Sequence, residues 1–225
     1  FEAGATPIAS TGALAEMEKY ETGFYGRHPL GRWEWAARNR EDVRNSKLLP
    51  PQIVFQDKLV FDDGTMRAEL LYLGNAHTHG DVFVWLPKQR ILFSGDACVN
   101  GPYNYMGDGN SIDWLKTLDA VKTLKPKIIC PGHGARADGT LVDHQKAYFT
   151  ALHLAVKPLV KKKQTLEQVQ AQVPAIRVKL EMNAQIKRYI GKRFGEQIEK
   201  VYGDHTGKIL GRLDVRKQAE EEKKK

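Results

Sequence analysis

Three short apolar runs in the middle of the chain each stop at a histidine or aspartate flanked by glycine. Leu70-Leu71-Tyr72-Leu73 leads into Gly74-Asn75-Ala76-His77-Thr78-His79-Gly80-Asp81. Ile91-Leu92-Phe93-Ser94 leads into Gly95-Asp96, and Lys127-Ile128-Ile129-Cys130 into Pro131-Gly132-His133-Gly134. Apolar runs of this length bounded by turn residues read as strands. Strands that end on ligand-type side chains bring them to one edge of a sheet, where sites form in layered α/β proteins. The chain must therefore build a sheet with a common ligand-bearing edge.

The remaining pattern supports that layered α/β class. Strand-like runs occupy 53–61, 66–73, 82–86, 90–94 and 127–130, separated by turn signals such as Asp62-Asp63-Gly64 and Pro87-Lys88. Trp114, Leu115, Leu118 and Val121 recur at helical spacing within 112–124. Runs 82–86 and 127–130 are apolar on both faces, which predicts a sheet covered on both sides. Before them, 5–9 reads as extended, and Ser10 or Thr11 can cap a helix through Leu14, Met17 and Tyr20. The stretch 23–51, with Trp33 and Trp35, reads as helix plus loop, and the two tryptophans suit either core packing or a wall of the site.

From Val142 onward the pattern is helical. One helix spans 142–163, with Pro158 expected to kink or end it. Thr165-Leu166-Glu167-Gln168 is a capping box opening a second helix that stops before Pro174. A third is expected over 177–202, ending at Gly203, and 216–225 lacks hydrophobic period and reads as frayed.

Charge divides the chain. Residues 1–150 hold 17 Lys and Arg against 18 Asp and Glu, whereas 151–225 hold 18 against 9. The expected organisation is a domain over 1–150 and a basic helical extension over 151–225. The longest apolar run, Val82 to Leu86, is far short of the roughly 18 residues that a membrane span needs. Two cysteines exclude a disulfide framework but leave one Cys98–Cys130 bridge open. They do not assign a compartment, and neither does Phe1, which leaves cytoplasmic and exported locations equally open.

Two imidazoles and a carboxylate suit zinc, with iron or manganese less favoured. The three segments resemble the second half of a metallo-β-lactamase-fold hydrolase. In that family a late His stands in a His-Thr-x-Gly-Asp turn, a bridging Asp in Phe-Ser/Thr-Gly-Asp, and a last His in Pro-Gly-His-Gly. Here His77, Asp96 and His133 occur in that order, with 18 and 36 residues between them. The resemblance covers about 1–150 and implies part of an αββα sandwich with a helical extension.

The family's hallmark His-x-His-x-Asp-His is absent. His77-Thr78-His79-Gly80-Asp81-Val82 imitates it until Val82 stands in place of the last His. Phe1–Ser10 resembles the family's segment just beyond the hallmark, so the expectation is an N-terminally truncated copy, inactive alone and exposing apolar surface. The resemblance implies two zinc ions in a longer parent. His77 and His133 would each bind one, and Asp96, the catalytic residue, would bridge them. A metal-bound hydroxide would then cleave an ester, thioester, lactone or amide. Asp96 argues against the β-lactamase subclass with Cys at that place.

Other residues carry plainer readings beside functional ones. His79 and Asp81 read as site-mouth or supporting residues, with Asp81 also suited to holding a turn. Tyr103, Asn104 and Tyr105 suit a substrate pocket or a surface loop. His28, His144, His153 and His205 lack convergent neighbours in the sequence, and Cys130 reads as a small apolar residue at a strand end. The basic extension is by default a solvated face; Lys157, Lys161, Lys162 and Lys163 could instead meet an anionic substrate. A small-molecule substrate is expected, nucleic acid is not, and oligomerisation is left open. The rival to the enzyme is a non-catalytic binding or scaffolding protein on a degenerate copy of the fold.

Overall fold

The computed structural model describes residues 4–21, 37–38, 40–47 and 49–208, without the side chains of 19–21. Trp33, Trp35, His28 and the tail 216–225 lie outside the described residues. The chain forms two compact units, Asp57–Gly211 and Phe1–Gln56 with Arg212–Lys225. The boundary expected at 150/151 falls inside a continuous helix.

In the smaller unit, β1 (Ile8–Ser10) pairs in parallel with β2 (Ile53–Phe55). Helix α1 (Thr11–Glu21) starts where the Ser10 hydroxyl accepts from the Ala13 N–H at 3.1 Å, a side-chain cap.

The larger unit is built on a five-stranded sheet of β3 (Lys58–Asp62), β4 (Arg67–Leu71), β5 (Phe83–Leu86), β6 (Ile91–Val99) and β7 (Ile128–His133), in that spatial order. The expected run 53–61 is broken at Gln56-Asp57 into β2 and β3, which belong to different sheets. Neighbours are antiparallel except β6 and β7, which are parallel. Strands β4, β6 and β7 therefore share one direction, and their C-terminal ends lie along one edge.

Register separates the two faces, because residues opposite one another share a face. Leu71 opposite Phe83, and Trp85 opposite Leu92 and then Ile129, form the buried face. It packs with α2 (Ser111–Thr123) and α3 (Thr140–Lys161) in one core that includes Trp114, Leu118, Phe149 and Leu152. Leu70, Val84, Phe93 and Cys130 line the other face, where Phe93 stays 44% exposed. The expectation of a sheet buried on both sides is thus corrected for this row. Apolar strand residues do not by themselves show that a second layer packs on them.

Pro158 lies inside α3, which continues one turn to Lys161. The capping box at Thr165 and Gln168 opens α4 (Leu166–Gln170). The single helix expected over 177–202 is instead two, α5 (Val173–Glu181) and α6 (Phe194–Thr206), joined by an irregular segment with a 3₁₀ turn at Lys187–Tyr189. The chain turns so that Ile186, Tyr189 and Ile190 bury their side chains, and this overrides helical propensity. α6 runs past Gly203 to Thr206 and stops at Gly207 in the left-handed region. Cys98 and Cys130 are both free, so the bridge left open by the sequence does not form. No helix among the described residues is long and apolar enough to cross a membrane.

Candidate metal centre

The common direction of β4, β6 and β7 explains why three distant residues meet. His77 comes after β4, Asp96 lies in the outer part of β6, and His133 ends β7. Asp96 Oδ2 is 3.9 Å from His77 Nε2 and 3.4 Å from His133 Nε2. Two ligands on one zinc ion, each about 2.1 Å from it in tetrahedral geometry, stand about 3.4 Å apart. The carboxylate is thus spaced to share an ion with each imidazole.

Local backbone features aim these groups. Pairing of β6 with β7 is irregular between Phe93 and Gly95 and again before Val99, which turns Asp96 out of the regular pleat. A Cβ on Gly132 would overlap Asp96 Oδ1 and lie 2.7 Å from the Asp96 nitrogen, so the carboxylate fills the space that the glycine leaves. Gly134, at φ +87°, lets the chain turn beneath Asn100. The Asn100 N–H donates to the His133 carbonyl at 2.9 Å and its side-chain amide to the Ala135 carbonyl at 2.8 Å. Asn100 therefore holds the His133 turn, a role with no signal in the sequence pattern.

Asp81 holds the other turn. Its carboxylate accepts from the Thr78 N–H at 2.9 Å and the Thr78 hydroxyl at 2.8 Å. Burial raises its pKa, partly offset by those hydrogen bonds and by His77. His79 acts electrostatically on Asp113, which is held below the ordinary carboxylate range mainly by Lys116.

Aromatic rings frame both histidines. Tyr105 meets His77 edge-on at 5.8 Å between ring centres, and Trp114 does so at 6.1 Å. Tyr103 stacks on His133 at 5.3 Å. Asn104, between the tyrosines, is buried and lines a small cavity with Tyr105, Arg193 and Gln197. Gln145 of α3 donates to Asn104 Oδ1 at 3.2 Å and accepts from the Val99 N–H at 3.1 Å. Gln197 of α6 donates to the Asn104 carbonyl and accepts from the Tyr148 hydroxyl. The helices thus clamp the loop that carries both tyrosines. The signal for Gln145 and Gln197 was a polar residue in an otherwise apolar helical stripe, Leu141–Val142–Tyr148–Phe149 and Phe194–Ile198–Val201.

The expectation that His153 and His205 lack neighbours is corrected: His153 Nδ1 and His205 Nε2 are 2.9 Å apart. Helices α3 and α6 pack together and bring the two imidazoles into edge-on contact. Lys157, Lys161, Lys162 and Lys163 are exposed. Cys130 shares the half-exposed sheet face with Phe93. Burial pushes the Cys98 thiol up to about 12, which keeps it protonated and unsuited to binding metal.

The fit to a metal is partial. The spacing suits a metal shared by Asp96 with either imidazole, yet among the described residues no group of three or more His, Cys, Asp or Glu is arranged to hold one. The three side chains converge pairwise and do not form a closed cage.

Residues 4–133 match the family described as the metallo-beta-lactamase superfamily. Similar curated proteins include the metallo-beta-lactamase type 2 of Bacteroides fragilis, 34% identical over 111 residues, which are 47% of this chain and 45% of that one. Another is the metallo-beta-lactamase type 2 of Pseudomonas aeruginosa, 32% identical over 80 residues, 34% and 32% of the two chains. The chain thus spans less than half the length of these relatives. Among solved structures, the inverting sec-alkylsulfatase Pisa1 from Pseudomonas sp. aligns over 95% of this chain and 38% of its own, with TM-score 0.60 and 16% identity. That likeness is one of fold, and it includes the helical C-terminal part.

Proposed function

Since the chain belongs to the metallo-beta-lactamase superfamily, we propose that it forms part of the core of a zinc-dependent hydrolase acting on an ester, thioester, lactone or amide. The observation that carries this reading is the Asp96 carboxylate between the Nε2 atoms of His77 and His133 at one sheet edge. His77, Asp96 and His133 are the residues that would hold the metal. When bound, zinc supplies Lewis acidity and brings the pKa of a water toward 7. The protein's own contribution is positional. Asp81 fixes the His77 turn, Asn100 fixes the His133 turn, and Gly132 leaves room for the carboxylate. Tyr103 and Tyr105 wall the substrate in. The relatives' name brings a β-lactam amide within this range, and Asp96 keeps thioesters and lactones in it.

Three candidate ligands among the described residues are fewer than a two-ion centre uses, so weak zinc affinity is the expected result. The test titrates zinc into metal-free protein and tracks the imidazole resonances. His77 and His133 shift together, His144 does not, and Asp96→Ala removes the response. A folded protein whose His77 and His133 ignore millimolar zinc overturns the assignment. The pairwise arrangement favours one rival, a non-catalytic protein on the same fold. It predicts no zinc-dependent hydrolysis that Asp96→Ala abolishes.

A further inference from the structure

The segment between α5 and α6 carries Lys187, Arg188, Lys192 and Arg193 and no acidic residue from Met182 to Gly195. Arg193 reaches toward the metal centre. Its guanidinium carbon lies 5.1 Å from the centre of the Tyr105 ring, and that ring is in edge contact with His77. Arg188 is turned elsewhere, donating to the Tyr189 hydroxyl at 3.1 Å with His144 Nδ1 at 3.0 Å. One aromatic ring therefore separates a fixed positive charge from the first candidate ligand.

Arg193 is held in place without being used up. Its stem leaves the start of α6, where Phe194 is buried in the core and Gln197 is bonded to the Asn104 carbonyl. Its Nη1 donates to Glu196 at 2.9 Å in an exposed pair three residues apart, an arrangement worth little in water. The rest of the planar fork matches the two oxygens of a second oxyanion. The Tyr105 face beneath it restricts its swing and excludes water from one side.

We propose that Arg193 is the specificity residue of this site, selecting a substrate whose oxyanion group lies about one aromatic ring away from the bond that is hydrolysed. This rests on the zinc-hydrolase reading only for the position of that bond; the oxyanion site stands on Arg193 and Tyr105 alone. The exposed lysines at 157 and 161–163 have no part in it.

The test is made on metal-free protein, so that zinc contributes nothing to anion binding. Benzoate, phenyl phosphate and the neutral isostere benzamide are titrated while the Arg193 side-chain N–H and Tyr105 ring resonances are recorded. Benzoate or phenyl phosphate moves both sets and benzamide moves neither. The tighter of the two anions identifies a carboxylate or a phosphate monoester as the preferred group. Arg193→Gln weakens binding by about five- to tenfold, Arg193→Lys recovers part of it, and Lys161→Gln changes nothing. Equal response to benzamide, or unchanged anion affinity in folded Arg193→Gln, overturns the proposal. Because zinc is absent, that failure is distinct from a failure of His77 and His133 to bind zinc. In zinc-loaded protein, Arg193→Gln raises KM for anionic substrates with kcat and neutral analogues unaffected.

Discussion

The ligand edge and the helical half of the larger unit meet at the same site but are made in different ways. At the edge, the side chains that matter are placed by turns of a few residues: Asp81 onto Thr78, Asn100 onto His133, Gly132 beneath Asp96. These groups are partly open to water. In the helical half, Gln145 and Gln197 are buried and reach across more than forty residues of sequence to the Ala97–Asn104 segment. The chemistry is thus local and half exposed, whereas the loop that shapes its mouth is held by long-range bonds in the core. Defects in the first region should remove metal response without unfolding; defects in the second should cost stability first.

The largest expected effect comes from Gln145→Leu. It leaves the Val99 N–H and the Asn104 Oδ1 without their partner in a dry core, while the Ala97 carbonyl keeps the Trp114 indole N–H, a loss of about 3 kcal/mol. Denaturant unfolding measures it. Hydrogen exchange around Tyr103 and Tyr105 should accelerate while His77 and His133 still respond to zinc. Loss of the zinc response with unchanged stability would break the contrast between the two regions.

Gly132→Ala makes the opposite prediction. The added methyl displaces the Asp96 carboxylate and abolishes the paired zinc shifts of His77 and His133, at a stability cost of about 1–2 kcal/mol. A retained zinc response would show that Asp96 is not held where the pairing needs it.

The smallest effect is a pH slope. Burial lowers the pKa of His153, with His205 and Lys157 acting in the same direction and the Ser111 carbonyl and Asp204 opposing. His205 is lowered too, again mainly by burial, with Lys157 adding and Asp204 opposing. Both are neutral in the folded state at pH values where the unfolded chain already takes up protons. Their contribution is complete above the unfolded value near 6.5 and is lost as pH falls below it toward the lower folded values. Unfolding free energy measured from pH 8 downward should decline through this window, and His153→Asn should flatten the decline.

Much of this was legible in the chain itself, because local chemistry writes itself locally. The strand runs, the glycines beside Asp96 and His133, the Thr165 capping box and the Ser10 cap depend on neighbours within a few residues. The order of His77, Asp96 and His133 is likewise read directly from the sequence, within the residues 4–133 that match the family. The tertiary structure alone decided which residues support them. His153 meets His205 because α3 packs on α6, Arg193 reaches Tyr105 because the expected single helix breaks before Phe194, and Phe93 stays exposed although its strand is apolar. Each depends on which surfaces come together in space. Hydrophobic period and motif spacing report what a segment can bury, and packing determines what it is buried against.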